Sequence, residues 1–201
     1  MTDEIRVVPA NEVTWPDIAA VFATGGPSVC YCQRYKLAPR EAFSRFPADE
    51  RAKRLREQTN AGQPGAPRTA GLVAYLGVEP VGWVAVEPRP AYFGLLRVYR
   101  TPWEGRNEDR TDETVWSVTC VFVRAGYRKR GVAYALARAA VDHARSRGAR
   151  AIEAYPMRTE AGEITWDEIH VGAESIFAAA GMSPVSHPGK RRVVYRLAFD
   201  Q

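Results

Sequence analysis

The chain has 201 residues, 46% hydrophobic and 25% charged, and a formal net charge of +5 with a pI of about 9.3. Composition and length are those of a globular chain able to bury a core in one domain, residues 1–201, and no run of about 20 apolar residues is available to span a bilayer. The amino terminus lacks a secretory layout, and three cysteines, Cys30, Cys32 and Cys120, do not make a disulfide framework, so a cytoplasmic protein is expected.

Residues 5–8 read as a first strand, and a helix is predicted after Trp15, with Pro16 in its first turn and Asp17 facing the helix dipole. Glycines and proline break the period between residues 25 and 36, which predicts irregular structure. Residues 48–59 are good helix formers on an exposed, charged helix. Two runs rich in Val, Leu, Tyr and Trp, residues 69–77 and 81–88, predict an antiparallel hairpin. Residues 88–113 then form a connection too long to be a plain turn.

Residues 115–123, VWSVTCVFV, carry branched and aromatic side chains on both faces, as a central strand does. From Val132 the apolar positions Leu136, Ala137, Ala140, Val141 and Ala144 follow helical spacing, and Gly148 ends the helix. A strand over residues 149–156 completes a strand-helix-strand unit. A short helix ending at Gly181 follows, and then a strand pair over residues 183–186 and 192–197. The class is α/β with a mixed sheet.

Arg124, Arg128, Lys129 and Arg130 place four cations in the loop between the central strand and the helix. A helix amino terminus has unpaired N–H groups and partial positive charge, and Gly131 lets backbone approach an anion closely. A pyrophosphate fits that combination. The stretch from Val121 to Ala133, VFVRAGYRKRGVA, resembles the cofactor loop of GNAT-superfamily N-acetyltransferases, and AESIFAAAGM near the end is similar to that family's late helix. The resemblance covers residues 69–197, and the first 65 only loosely.

The resemblance implies a mostly antiparallel sheet flanked by helices, with a splayed central parallel pair and acetyl-CoA as co-substrate without a metal. It implies backbone contacts from Val121 and Val123 to the pantetheine arm. The pyrophosphate would be held by Arg128, Lys129, Arg130, Gly131, Val132 and Ala133, with Arg124 adding charge. Residues 1–66 would form the acceptor side and residues 67–201 the core. The acceptor would be an amine of a small molecule or a protein lysine, with a homodimer left open and neither membrane nor nucleic acid as partner.

Family members often carry a Glu on the central strand, where this chain offers Ser117, Thr119 and Cys120, and a Tyr where it has Phe177. Glu153 and Tyr155 are the substitutes at hand for base and acid. Alternatives are a non-catalytic acyl-CoA sensor of the same fold and a nucleic-acid-binding module. Cys30 and Cys32 read as packing or pocket lining, because zinc needs four ligands. Trp83 and Trp116 read as core, and Trp103 and Trp166 as equally pocket lining. His143, His170 and His187 read as surface or loop. The carboxylates Glu104, Glu108, Asp109, Asp112 and Glu113 read as a solvated loop or, if functional, a lure for a cationic acceptor.

Overall fold

Runs of branched and aromatic residues assemble one seven-stranded sheet in the order β1-β2-β3-β4-β5-β7-β6. The strands are β1 (Ile5–Pro9), β2 (Gly71–Leu76), β3 (Glu79–Pro88), β4 (Val115–Val123), β5 (Ala151–Ala154), β6 (Ser183–Ser186) and β7 (Val194–Ala198). The structure, a computed structural model, describes residues 4–23, 30–38, 40–97, 101–158 and 171–200. Neighbouring strands run antiparallel except β4 and β5, the parallel pair at the centre.

Helices α1 (Trp15–Phe22), α2 (Ala48–Thr59), α3 (Phe93–Arg97), α4 (Val132–Ser146) and α5 (Glu174–Ala179) flank the sheet. Helix α1 starts where the Thr14 hydroxyl accepts the Asp17 amide, with Pro16 in the first turn. Helix α4 buries the stripe read from its spacing, Leu136, Ala137, Ala140, Val141 and Ala144, against Val84, Val86, Val118 and Ile152. On the opposite face Ile18, Val21 and Phe22 of α1 pack with Trp83, Cys32 and Cys120.

A third cluster, Tyr35, Tyr92, Leu95, Trp103, Tyr155 and Met157 among its members, fills the space under residues 88–113. That segment is therefore more than a connection. It holds 3-10 turns at Arg89–Ala91 and Thr101–Trp103 and the helix α3, because its aromatics have an interior to enter. Trp103 is 3% exposed, its indole N–H donates to the Leu95 carbonyl at 2.8 Å, and the guanidinium groups of Arg89, Arg106 and Arg110 lie 4.9–5.4 Å from its ring. Of the two readings left open for Trp103, pocket lining or packing, its burial in this cluster favours packing.

Trp83 is fully buried as expected, whereas Trp116 is half-buried with the His143 ring edge-on at 5.6 Å. Burial, aided by the charge of Arg147, lowers the pKa of the half-buried His143 to about 4, so the imidazole packed on Trp116 is neutral. His187 is exposed, and Trp166 and His170 lie outside the described residues.

Strands β2 and β3 approach so closely at Gly71 that a Cβ there would stand 2.1 Å from the Val84 carbonyl oxygen and 2.7 Å from the Trp83 ring. Gly71→Ala is expected to cost about 1–3 kcal/mol through overpacking. The measurement is a urea melt, in which the midpoint drops while the slope stays unchanged.

Candidate active site

The parallel ladder between β4 and β5 is short: it runs from Val115 opposite Ala151 to Val118 opposite Ala154 and stops. On its other edge β4 pairs with β3, and there the register slips, with Ala85 opposite Cys120 but Val86 opposite Val118. Thr119 is the extra residue, a β-bulge that bends β4 at the point where β5 ends. Beyond Ala154 the chain stays with the strand on its far side, where Arg158 N–H donates to the Arg191 carbonyl at 3.0 Å and Met157 bridges to Arg192. Residues 119–123 of β4 consequently have no strand partner on the β5 side among the described residues, so that edge leaves backbone donors and acceptors outside the ladder.

One cross-strand row sits beside the bulge on the face away from α4. Glu87 of β3 is level with Ser117 of β4, Ser117 with Glu153 of β5, and Glu153 with Arg196 of β7. Residues level with each other on neighbouring strands point the same way, so four polar side chains line up across a face that is otherwise apolar. Glu153 has a side chain 0% exposed, and Arg106, Arg89 at 3.4 Å and Arg196 at 2.6 Å all donate to it. Glu108 shares the same three guanidinium groups. The Tyr155 hydroxyl donates to Glu153 at 3.0 Å and lies 2.9 Å from the Ser117 hydroxyl. Burial, then the Glu153 charge, pushes the Tyr155 phenol above its usual pKa.

Of the carboxylates of residues 104–113, Glu104, Asp109 and Glu113 are exposed as a solvated loop would have them, while Glu108 and Asp112 depart from that reading. Glu108 is in the arginine cage and Asp112 pairs with Arg150, because the segment folds back onto the sheet.

After β4 comes a 3-10 turn, Ala125–Tyr127, and then α4. Lys129 has φ +61° and Gly131, the residue before the helix, φ +83°. Both residues are left-handed, and no side chain caps the helix. Val132 is buried under the sheet and Ala133 half-buried, while Lys129, Arg130 and Gly131 are exposed. Arg124 is bound back to the Pro80 carbonyl at 2.8 Å, and Arg128 to the Val123 carbonyl at 3.2 Å. Val121 and Val123 stand opposite Val84 and Gly82 of β3, beyond the end of the β4–β5 ladder. The structure thus sets Val121, Val123 and the loop residues along one continuous edge and end of β4, with Glu153 and Tyr155 on the neighbouring strand where the two part.

A profile of the Acetyltransferase (GNAT) family matches residues 34–162, from ahead of α2 to beyond β5. The chain belongs to that family. Solved structures of low identity share the fold. The GNAT domain of S. lividans PAT is 18% identical with a TM-score of 0.55, covering 97% of this chain and 90% of that one. An acetyltransferase from Thermus thermophilus is 16% identical with a TM-score of 0.52, covering 99% and 100%. PaiA N-acetyltransferase from Thermoplasma acidophilum, in complex with coenzyme A, is 10% identical with a TM-score of 0.52, covering 98% and 99%. No curated protein matches the sequence.

In this GNAT protein the two cysteines of the CYC stretch pack as expected from their isolation. The Trp83 indole N–H donates to Cys32 Sγ at 3.1 Å, and Cys30 Sγ accepts the Cys32 amide at 3.3 Å. The Cys30 thiol is pushed up by its hydrogen bond to Cys32 and by burial, and the Cys32 thiol chiefly by burial, which makes both poor nucleophiles. Among the described residues no group of His, Cys, Asp and Glu could hold a metal, and no helix is long and apolar enough to cross a membrane.

Sequence reading missed Lys36, Glu87, Arg89, Tyr92, Arg106 and Arg196. For Arg196 a signal existed, a charge inside an apolar strand. For Lys36 and Glu87, 51 residues apart and joined by an ion pair with side chains 6% and 14% exposed, there was none.

The arginine cage predicts an acid-sensitive fold. Burial alone would raise the Glu108 carboxyl, but hydrogen bonds from Arg89 and Arg196 and the charge of Arg106 outweigh it and hold the pKa down to about 2. A carboxyl lowered from its usual value of about 4.3 adds stability that is complete above that value and is lost as pH falls toward 2. Thermal melts are expected to show the midpoint falling across that window, and Glu108→Gln to flatten the fall and lower the midpoint at neutral pH.

Proposed function

We propose that this GNAT protein transfers an acetyl group from acetyl-CoA to a primary amine, of a small molecule or a protein lysine, by direct attack on the thioester. The observation that carries the reading is the unpaired edge of β4 running straight into an uncapped helix terminus. An extended amide-bearing arm can add to that edge as a strand would, through the backbone of Val121 and Val123, and its pyrophosphate then falls at the loop. The amides from Arg128 to Ala133 hold the phosphates. Lys129 and Arg130 draw them in, while Arg124 and Arg128 keep the loop shaped. The coenzyme A bound to PaiA from Thermoplasma acidophilum supports acyl-CoA as the co-substrate class.

The thioester carbonyl then lies by the bulge, where a β4 amide near Val121 stabilises the oxyanion as the amine nitrogen attacks. Tyr155, protonated throughout the working pH range, turns its single O–H from Glu153 toward the leaving sulfur as the thiolate forms. Glu153, its oxygens already occupied by guanidinium and phenol donors, anchors Tyr155 and the end of β5. In this reading residues 1–66 form the acceptor wall of a single domain.

Calorimetric titration with acetyl-CoA tests the reading. Gly131→Asp puts a side chain where φ is +83° and a negative charge beside the phosphates. It is expected to weaken binding about 100-fold, the equivalent of one or two charge-assisted hydrogen bonds, with the circular dichroism spectrum intact. Unchanged affinity in the folded variant overturns the assignment.

A further inference from the structure

A pocket of about 30 Å³ lies beside Tyr155. Tyr35, Pro102, Pro188 and Val194 give it apolar walls, and the guanidinium of Arg192 is the one charged group among the described residues that line it. Tyr155 follows Ala154, the last residue of the β4–β5 ladder, and its hydroxyl lies 2.9 Å from the Ser117 hydroxyl of β4. The pocket therefore borders the point where the two strands part. Its far wall is fixed by α3: the Gly94 N–H donates to the Tyr35 carbonyl at 2.8 Å, and a Cβ on Gly94 would stand 2.9 Å from that oxygen.

Arg192 is the residue that the fold does not account for. Arg89, Arg106 and Arg196 each meet a carboxylate. Arg192 is half-buried and donates to the Tyr155 carbonyl at 3.1 Å, yet no carboxylate pairs with it among the described residues. A guanidinium presents five donors in a planar fork that matches a carboxylate through two parallel hydrogen bonds, and one carbonyl leaves most of that capacity unused.

We propose that the acceptor of the acyl transfer is a small free amino acid, seated in this pocket with its carboxylate on Arg192. The proposal rests on the acyl-transfer reading above. The amine attacks as the free base: the bond from nitrogen to the thioester carbon forms, the carbon–sulfur bond breaks with its electron pair left on sulfur, and the proton shed by nitrogen ends on the released thiol. The products are an N-acetylamino acid and coenzyme A.

Charge and size both select this class. Among the described residues no carboxylate lines the pocket, and Glu108 and Glu153 on the same face of the sheet are taken up by arginines, so a second cationic group on the acceptor finds no partner there. A cavity of about 150 Å³ is what a benzene-sized ring occupies. A pocket of about 30 Å³ takes a methyl or ethyl group between its apolar walls and leaves the charged ends of the amino acid at the rim.

The test uses the whole chain, first shown by calorimetry to bind acetyl-CoA, and follows thiol release with alanine, alaninamide, isopropylamine and phenylalanine. Alanine is expected to have a kcat/KM about 10-fold or more above that of the two amines without a carboxylate, and above that of phenylalanine, which outgrows the pocket. Alaninamide has the less basic amine, so at neutral pH it would be the faster acceptor were the carboxylate not recognised. Arg192→Met is expected to raise KM for alanine about 100-fold with little change in kcat, and Arg192→Lys to recover part of the loss. An arginine that only braced the end of β5 would slow every acceptor alike, whereas recognition of the carboxylate requires the preference for alanine over alaninamide to collapse.

Loss of acetyl-CoA binding in the native protein overturns the acyl-transfer reading. With that binding intact, the amino-acid acceptor is overturned if alanine releases no thiol, if alaninamide or phenylalanine matches it, or if folded Arg192→Met keeps the preference for alanine.

Discussion

The site depends on what the backbone of β4 does with its hydrogen bonds. A central strand ordinarily pairs on both edges, because buried N–H and C=O groups left without partners are costly. Here β5 stops at Ala154 while β4 continues to Val123, and the extra residue at Thr119 turns β4 away at that point. The bulge and the short partner strand together open an edge in the middle of a sheet. Everything placed around it follows from that opening: the loop cations at one end, the polar row beside the bulge, and the aromatic cluster beneath.

The polar row is the second constraint. Placing Glu153 where no water reaches it is tolerable because three guanidinium groups meet it, and removing one partner of such a pair usually costs about 3–5 kcal/mol. Two of the three, Arg89 and Arg106, come from the segment between β3 and β4, and the third, Arg196, from β7. The cage therefore ties a long excursion of chain to the sheet and fixes Tyr92 and Trp103 under it. The same network holds the Tyr155 hydroxyl at the end of β5.

Much of this fold was legible because its signals are local. The branched and aromatic run of β4, the helical spacing of α4 and the cations between them lie within a few residues of one another, and together they located the strand–loop–helix junction. The polar row beside the bulge was not legible. Glu87 meets Lys36, and Glu153 meets Arg89, Arg106 and Arg196, across separations that no periodicity encodes. Glu108 and Asp112 looked solvated for the same reason, since their arginine partners lie mostly outside the segment. A bulge, likewise, is a property of two strands, and nothing in VWSVTCVFV marks Thr119 as the residue left over.

The uncapped first turn of α4 has a thermodynamic consequence. A helix whose leading amides await an anion is under-stabilised at that end, so ligand occupancy and the local opening of the turn are linked equilibria. Polyanions that reach the turn tighten it regardless of whether they carry anything to donate. Under the proposed reading, deacylated product competes for the same atoms as fresh donor, and product build-up lowers the fraction of protein that holds donor.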